Sequence, residues 1–131
     1  MKNPVILLVD DYEPTNILHK EYIKMHLPDA TVHYHTDPYL ALRSLKNPKL
    51  KERIVPNIIF LDINMPSMSG WEFLEAFSVI KIENKESIEI YVLSTFDDPK
   101  YRKKAEANLQ VKSYFTKPLT EVILKETIAN K

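Results

Sequence analysis

Chemically reactive side chains follow four apolar segments of the sequence, at the point where each segment ends. In chain order these residues are Asp10, Asp11, Asp62, Ser94 and Lys117. The segments before them are short and rich in branched residues, which is typical of strands buried on both faces. Because ligands of parallel α/β sheets bind at the carboxyl ends of the strands, we expect these side chains to gather at one edge of a sheet.

Three carboxylates, a hydroxyl and an ammonium group are suited to phosphoryl transfer. Carboxylates that lie close together raise one another's pKa values unless a cation neutralises them. Oxygen ligands in a chain without cysteine favour a hard cation, Mg²⁺ above all, with Mn²⁺ as a second candidate. Such an ion and a lysine can hold phosphoryl oxygens while a carboxylate attacks the phosphorus. Asp62 is the strongest candidate for that carboxylate, because the strand before it is so apolar.

Each of these residues has a simpler explanation when it is taken singly. The pair Asp10-Asp11 could be a helix cap in a solvated turn, and the hydroxyl of Ser94 could bond to the main chain. Lys117 could be an ordinary surface lysine. The combination is more specific, because every member must fall at the same end of a different strand.

The sequence alternates between strand-like and helix-like segments, five of each. The predicted strands are Val5–Val9, Ala30–His35, Asn57–Leu61, Ile88–Leu93 and Val111–Thr116. The predicted helices are Pro14–His26, one that begins at Pro38 after a cap at Asp37, one that begins at Ser69 or Gly70, Pro99 to about Asn108, and Thr120–Asn130. The polar, proline-punctuated segment 46–56 is predicted to be a loop. This alternation indicates an α/β protein whose parallel sheet is covered by helices on both faces.

Length and composition limit the function classes. The 131 residues indicate a single domain over residues 1–131. Lysine plus arginine and aspartate plus glutamate number 18 each, which gives no electrostatic reason to expect direct binding to nucleic acid or to an anionic membrane. The apolar run near the N-terminus spans only Val5–Val9, too short for a signal peptide or a membrane span. We therefore expect a cytoplasmic protein without membrane insertion.

Four motifs carry a resemblance to a known family. They are "LLVDD", "IIFLDINMPSMSGWEFL", "IYVLS" and "YFTKPLT", which occur in this order along the chain. The sequence resembles the receiver domain of two-component response regulators over essentially its whole length. That resemblance implies a doubly wound, flavodoxin-like sheet of five parallel strands in the order 2-1-3-4-5. It also implies a phosphorelay module that receives a phosphoryl group from a sensor histidine kinase or a histidine phosphotransfer protein.

The resemblance implies a role for each site residue. Asp62 would be the phosphoacceptor, Asp11 would bind the metal directly, and Asp10 would hold a metal-bound water. Asn64 would offer its main-chain carbonyl to the same ion.

On the other strands, Ser94 would bond to the phosphoryl group and Lys117 would pair with it, followed by a cis peptide bond to Pro118. Tyr114 matches an aromatic switch position. The surface of the fourth helix, fifth strand and fifth helix, roughly residues 99–130, would then bind a downstream target or a second copy of the chain.

Some features depart from the family pattern or leave alternatives open. Thr95 stands where the family usually has alanine or glycine, and Phe96 is a large apolar residue that could exclude water from the site. Gly70, the only glycine, is expected to meet a backbone demand that other residues cannot.

The alternatives are an interaction domain with a relic site, disfavoured by the intact residue set, and a small-molecule phosphohydrolase, which would require an acid at Asn64. We therefore expect no enzyme activity beyond self-catalysed phosphorylation and dephosphorylation. The chain either acts alone by docking or is a piece of a longer protein.

Overall fold

Five parallel strands form one sheet in the order β2-β1-β3-β4-β5, as predicted. The computed structural model describes residues 3–46 and 55–129. The strands are β1 (Val5–Val9), β2 (Thr31–His35), β3 (Ile58–Leu61), β4 (Glu89–Ser94) and β5 (Val111–Thr116). Their bounds differ from the predicted ones by one residue at most, and most of the loop predicted for 46–56 lies outside the described residues.

Within the described residues, four α-helices connect successive strands and a fifth follows β5. They are α1 (Glu13–His26), α2 (Pro38–Lys46), α3 (Gly70–Val79), α4 (Pro99–Ala107) and α5 (Glu121–Ala129). The predicted cap at Asp37 is present, since its Oδ1 accepts the N–H of Tyr39 at 2.9 Å. At the start of α4, Asp98 Oδ1 accepts the N–H of Lys100 at 2.8 Å. No helix among residues 3–46 and 55–129 is long and apolar enough to cross a membrane.

Two apolar layers lie on opposite faces of the sheet. Leu7, Val9, Ile59 and Leu61 pack against α2 and α3, and this layer includes Phe73, Leu74 and Phe77 of α3. Ile6, Leu8, Ile58 and Phe60 pack on the other side against Ile23 of α1 and Ile123 and Leu124 of α5. Successive residues of a strand point to opposite faces. The central strands are therefore apolar at every position because both faces are covered.

Helix α1 packs on the sheet through a face that its apolar spacing did not reveal. Its buried residues are Asn16, His19 and Ile23. Leu18 and Met25, which belong to the apolar residues at helical spacing in this segment, are 59% and 73% exposed. The inner face is partly polar because it meets the polar end of the sheet, where the candidate site lies.

Candidate functional site

The predicted site residues meet at one edge of the sheet because four parallel strands end there. Asp10 follows β1, Asp62 follows β3, Ser94 ends β4, and Lys117 follows β5. Strands β1 and β3 are neighbours, and the Asp62 N–H donates to the Val9 carbonyl at 2.9 Å. The main-chain N–H of Lys117 donates to the Ser94 carbonyl at 2.7 Å, which ties the ends of β4 and β5 together.

Three carboxylates form the acidic centre of the site. One oxygen from each of Asp10, Asp11 and Asp62 lies within 4.8 Å of the other two. Asp10 and Asp62 are buried, whereas Asp11 is exposed. Burial raises the pKa of Asp62 to about 6; Lys117 opposes this rise, and Asp10 and Asp11 add to it. Full ionisation of the three carboxylates is therefore unfavourable. A cation bound among them would stabilise the ionised state most strongly.

Lys117 supplies the positive charge at this edge. Its Nζ lies 2.5 Å from Asp10 Oδ2 and 3.5 Å from Asp62 Oδ1. The side chain is only 16% exposed, so the pair with Asp10 is largely shielded from water. The Lys117–Pro118 peptide bond is cis, as the family resemblance implied. The ammonium group is thus placed beside the predicted acceptor.

Ser94 is fully buried at the end of β4. Its Oγ accepts the N–H of Phe96 at 3.2 Å, so its own hydrogen can be directed to another acceptor. The side chain of Phe96 is 55% exposed, which gives no support to the prediction that it shields the site from water. Phe96 instead contributes its main chain, since its carbonyl accepts the hydroxyl of Tyr114.

Gly70 is required by close packing rather than by an unusual backbone angle. Its φ is not positive, and its N–H donates to the Ile63 carbonyl at 2.8 Å. A Cβ at this position would lie 2.6 Å from the Asp62 carbonyl oxygen and 2.8 Å from the Ile63 Cα. The start of α3 is held in place by a capping box between Ser69 and Glu72. Helix α3 can therefore begin directly against the backbone of Asp62, the predicted acceptor.

Asn16 and His19 lie beneath the acidic centre, a position for which no role was predicted from the sequence. Asn16 Nδ2 donates to the Asp10 carbonyl at 2.8 Å, and its Oδ1 is buried without a hydrogen-bond partner among the described residues. A cavity of ≈ 10 Å³ is lined by both residues together with Asp10, Asp62 and Lys117. Burial lowers the pKa of His19, with the charge of Lys117 as a second cause. The sequence carried no clear signal for this role, because the apolar spacing of α1 pointed to a different face of the helix.

Two further residues complete the site. Asn64 is exposed, and its Oδ1 lies 3.4 Å from the hydroxyl of Tyr101 in α4, so its predicted role as a main-chain metal ligand stays a prediction. Tyr114 lies in the inward position, 8% exposed, with its hydroxyl on the Phe96 carbonyl. The switch hypothesis requires the Tyr114 ring to move between an inward, buried position and an outward, exposed one. In this structure the ring lies in the inward position.

We expect the raised pKa of Asp62 to make the acidic centre a source of instability above neutral pH. The pKa of an unfolded aspartate is about 3.9, so the folded state binds more protons than the unfolded state between pH 4 and 6. Stability is therefore lost as pH rises through this window. In the presence of a chelator, Asp62→Asn should raise the free energy of unfolding by roughly 2 kcal/mol at pH 8 and by much less at pH 4.5.

Urea denaturation of the two proteins at both pH values provides the test. Other titrating groups are common to both proteins and cancel in the difference. An Asp62→Asn advantage of the same size at both pH values, or a more stable wild type at pH 8, would contradict the assigned burial and charge repulsion.

Comparisons with known proteins identify the family. The family described as the response regulator receiver domain matches residues 6–129. The chain is a response regulator receiver domain. The structure of a two-component response regulator from Cytophaga hutchinsonii superimposes with a TM-score of 0.85 at 30% identity, with 98% of each chain covered. This receiver domain is therefore a phosphoryl-accepting signalling module, and the relic-site alternative is not favoured.

More distant structures share the fold of this receiver domain. A response regulator receiver protein from Dyadobacter fermentans has a TM-score of 0.84 at 21% identity, covering 96% of this chain and 95% of that one. A CheY-like receiver domain from Methylobacillus flagellatus has a TM-score of 0.76 at 21% identity, with 97% of each chain covered. No curated protein sequence matches the chain significantly.

Proposed function

We propose that this receiver domain accepts a phosphoryl group on the carboxylate of Asp62. The donor would be the phosphohistidine of a sensor kinase or of a histidine phosphotransfer protein. The observation that carries the proposal is the position of Asp62, which ends a buried strand with its Oδ1 3.5 Å from Lys117 Nζ and within 4.8 Å of two further carboxylates. A rigid strand end that presents a nucleophile beside a cation is the arrangement that phosphoryl transfer needs.

The residues of the chain divide the reaction between them. An oxygen of Asp62 attacks phosphorus, a P–O bond forms, and the P–N bond to the donor histidine breaks. Lys117 is placed to pair with the transferred phosphoryl oxygens, and the hydroxyl of Ser94 can donate to one of them. The product is an acyl phosphate at the end of β3. Water later attacks its phosphorus, the P–O bond to Asp62 breaks, and inorganic phosphate departs from the free carboxylate.

The donor set of the acidic centre fits Mg²⁺. Asp10, Asp11 and Asp62 provide only oxygen ligands, two buried and one exposed. Mg²⁺ usually takes one or two carboxylates and keeps several waters, which suits a cluster that opens to solvent on the side of Asp11. When bound, Mg²⁺ would neutralise the carboxylates and the phosphoryl oxygens. Asn64 remains the proposed main-chain ligand, and Mn²⁺ prefers the same type of oxygen donor.

The expected partners follow from the same chemistry. The acidic edge would receive the phosphohistidine of a kinase or transfer protein, and the face of α4, β5 and α5 would bind the downstream target or a second copy of the chain. We propose that the phosphorylated state is read through this face, without direct contact to nucleic acid.

Intact-mass spectrometry tests this function. After incubation with acetyl phosphate and Mg²⁺, the protein should gain one phosphoryl group that hydroxylamine removes, as expected for an acyl phosphate. The gain should disappear when a chelator is added before the donor. No uptake with Mg²⁺ present, or equal uptake with the chelator, would contradict the proposal.

A further inference from the structure

Arg102 of α4 contacts three segments around the predicted switch residue. Its Cζ lies 4.9 Å from the centre of the Tyr114 ring, and its Nη1 lies 3.4 Å from the Tyr114 carbonyl oxygen. Its Nη2 lies 3.4 Å from Thr116 Oγ1. Its Nε donates to Asp97 Oδ1 at 2.6 Å, in the loop before α4. One guanidinium therefore joins that loop, α4 and β5.

The ring beneath this guanidinium is held at its other end by the same loop. The Tyr114 hydroxyl donates to the Phe96 carbonyl, and the Phe96 N–H donates to Ser94 Oγ. The ring packs in a cluster with Ile63 and Val92. A chain of direct contacts thus runs from the proposed phosphoryl-binding hydroxyl, through the loop and the tyrosine ring, to the surface of α4.

The contacts of Arg102 are suited to orienting a ring rather than to stabilising the fold. The guanidinium is planar and can lie over an aromatic face while its other N–H groups donate within its own plane. The side chains of Arg102 and Asp97 are 41% and 66% exposed, so their ion pair alone contributes little to stability. The contact with the ring is made in the inward position of Tyr114, whereas the contacts with the Tyr114 carbonyl and with Thr116 hold the guanidinium in place over that position. Arg102 therefore favours that ring position over an outward one.

We propose that Arg102 is a positioning residue that holds Tyr114 inward and thereby links the loop after Ser94 to the face of α4 and β5. This link would let a change at Asp62 reach that face. The part of the inference that concerns signalling rests on the proposed function, whereas the ring-holding part does not.

Fluorine NMR of the protein labelled with 3-fluorotyrosine tests the ring-holding role. The chain has seven tyrosines, and the resonance of residue 114 is the one lost in Tyr114→Phe. The difference in its chemical shift between H₂O and D₂O reports how far the ring is exposed to solvent. We expect a small difference in the wild type and a larger one in Arg102→Met, with the outward population rising about threefold to tenfold.

Lys104 provides a matched control on the same helix. Its Nζ lies 4.8 Å from the centre of the Trp71 ring, so Lys104→Met removes an equivalent cation from a different aromatic residue. Lys104→Met should leave the Tyr114 resonance unchanged. If Arg102→Met matches Lys104→Met at this resonance, Arg102 does not position the ring. If Arg102→Met fails to fold, Arg102→Gln is compared with Lys104→Met at the same resonance, because glutamine retains a polar side chain without the planar guanidinium group.

The signalling part has a separate readout. Uptake of phosphoryl from acetyl phosphate is measured for the wild type and for Arg102→Met, followed by amide chemical-shift changes across residues 99–129. We expect normal uptake in both proteins and smaller shift changes in the variant. Equal shift changes with normal uptake would refute the link, whereas failure of the wild type to take up phosphoryl would refute the proposed function and leave the fluorine result standing.

Discussion

Asp62→Asn is expected to reduce phosphoryl uptake from acetyl phosphate by roughly a thousandfold or more, because an amide is not a nucleophile. The substitution preserves the size and shape of the side chain, so the end of β3 and the packing of Gly70 against its main chain should be retained. The raised pKa of Asp62 further implies that the variant folds at least as stably as the wild type. Loss of uptake would therefore report loss of the nucleophile and not loss of the fold.

The matched control for this prediction is Asp29→Asn. Asp29 is exposed in the turn before β2, away from the acidic centre, and its amide should leave uptake unchanged. Residual uptake in Asp62→Asn requires a check for transfer to Asp10 or Asp11. Uptake by Asp62→Asn at the rate of the wild type would show that another residue is the acceptor.

Asp11→Ala is expected to weaken Mg²⁺ binding by at least about tenfold and to slow phosphoryl uptake accordingly. Asp11 is the exposed member of the acidic centre, so its loss leaves the buried core of the protein unchanged. Mg²⁺ titration followed by the fluorescence of Trp71 is a practical measurement, because Trp71 follows the glycine that packs against the Asp62 main chain.

Lys117→Met is the informative comparison for Asp11→Ala. Its ammonium group lies 2.5 Å from Asp10 and competes for the carboxylates that a metal would use. Lys117→Met should therefore slow uptake while leaving Mg²⁺ affinity unchanged or higher. Unaltered Mg²⁺ affinity in Asp11→Ala, or a large loss of affinity in Lys117→Met, would contradict the proposed ligand set.

The central residues of the site were predictable because each of them ends a strand. Parallel strands bring their carboxyl ends to the same edge, so Asp10, Asp62, Ser94 and Lys117 were expected at one edge once the alternation of elements was recognised. The strand order that makes them neighbours was implied by the family resemblance. The need for Gly70 was also visible in the sequence, but its cause, the approach of α3 to the Asp62 main chain, depends on tertiary packing.

Other features depend on contacts between elements that are distant in sequence. Apolar spacing identified α1, yet the helix turns Asn16 and His19 inward because it covers the polar end of the sheet. Arg102 is one of several basic residues in α4, and periodicity alone could not single it out. Arg102 differs from the other basic residues of α4 because it contacts β5, and the position of β5 against α4 is set by the whole sheet.

Borohydride reduction followed by peptide mapping tests the central claim most directly. Borohydride converts an aspartyl phosphate to homoserine, so the modified position can be read from fragment masses after treatment with acetyl phosphate and Mg²⁺. Homoserine at position 62 alone is the predicted result. Homoserine at position 10 or 11 in the wild type, or no homoserine in protein that has gained a phosphoryl group, would contradict the assignment of Asp62 as the acceptor.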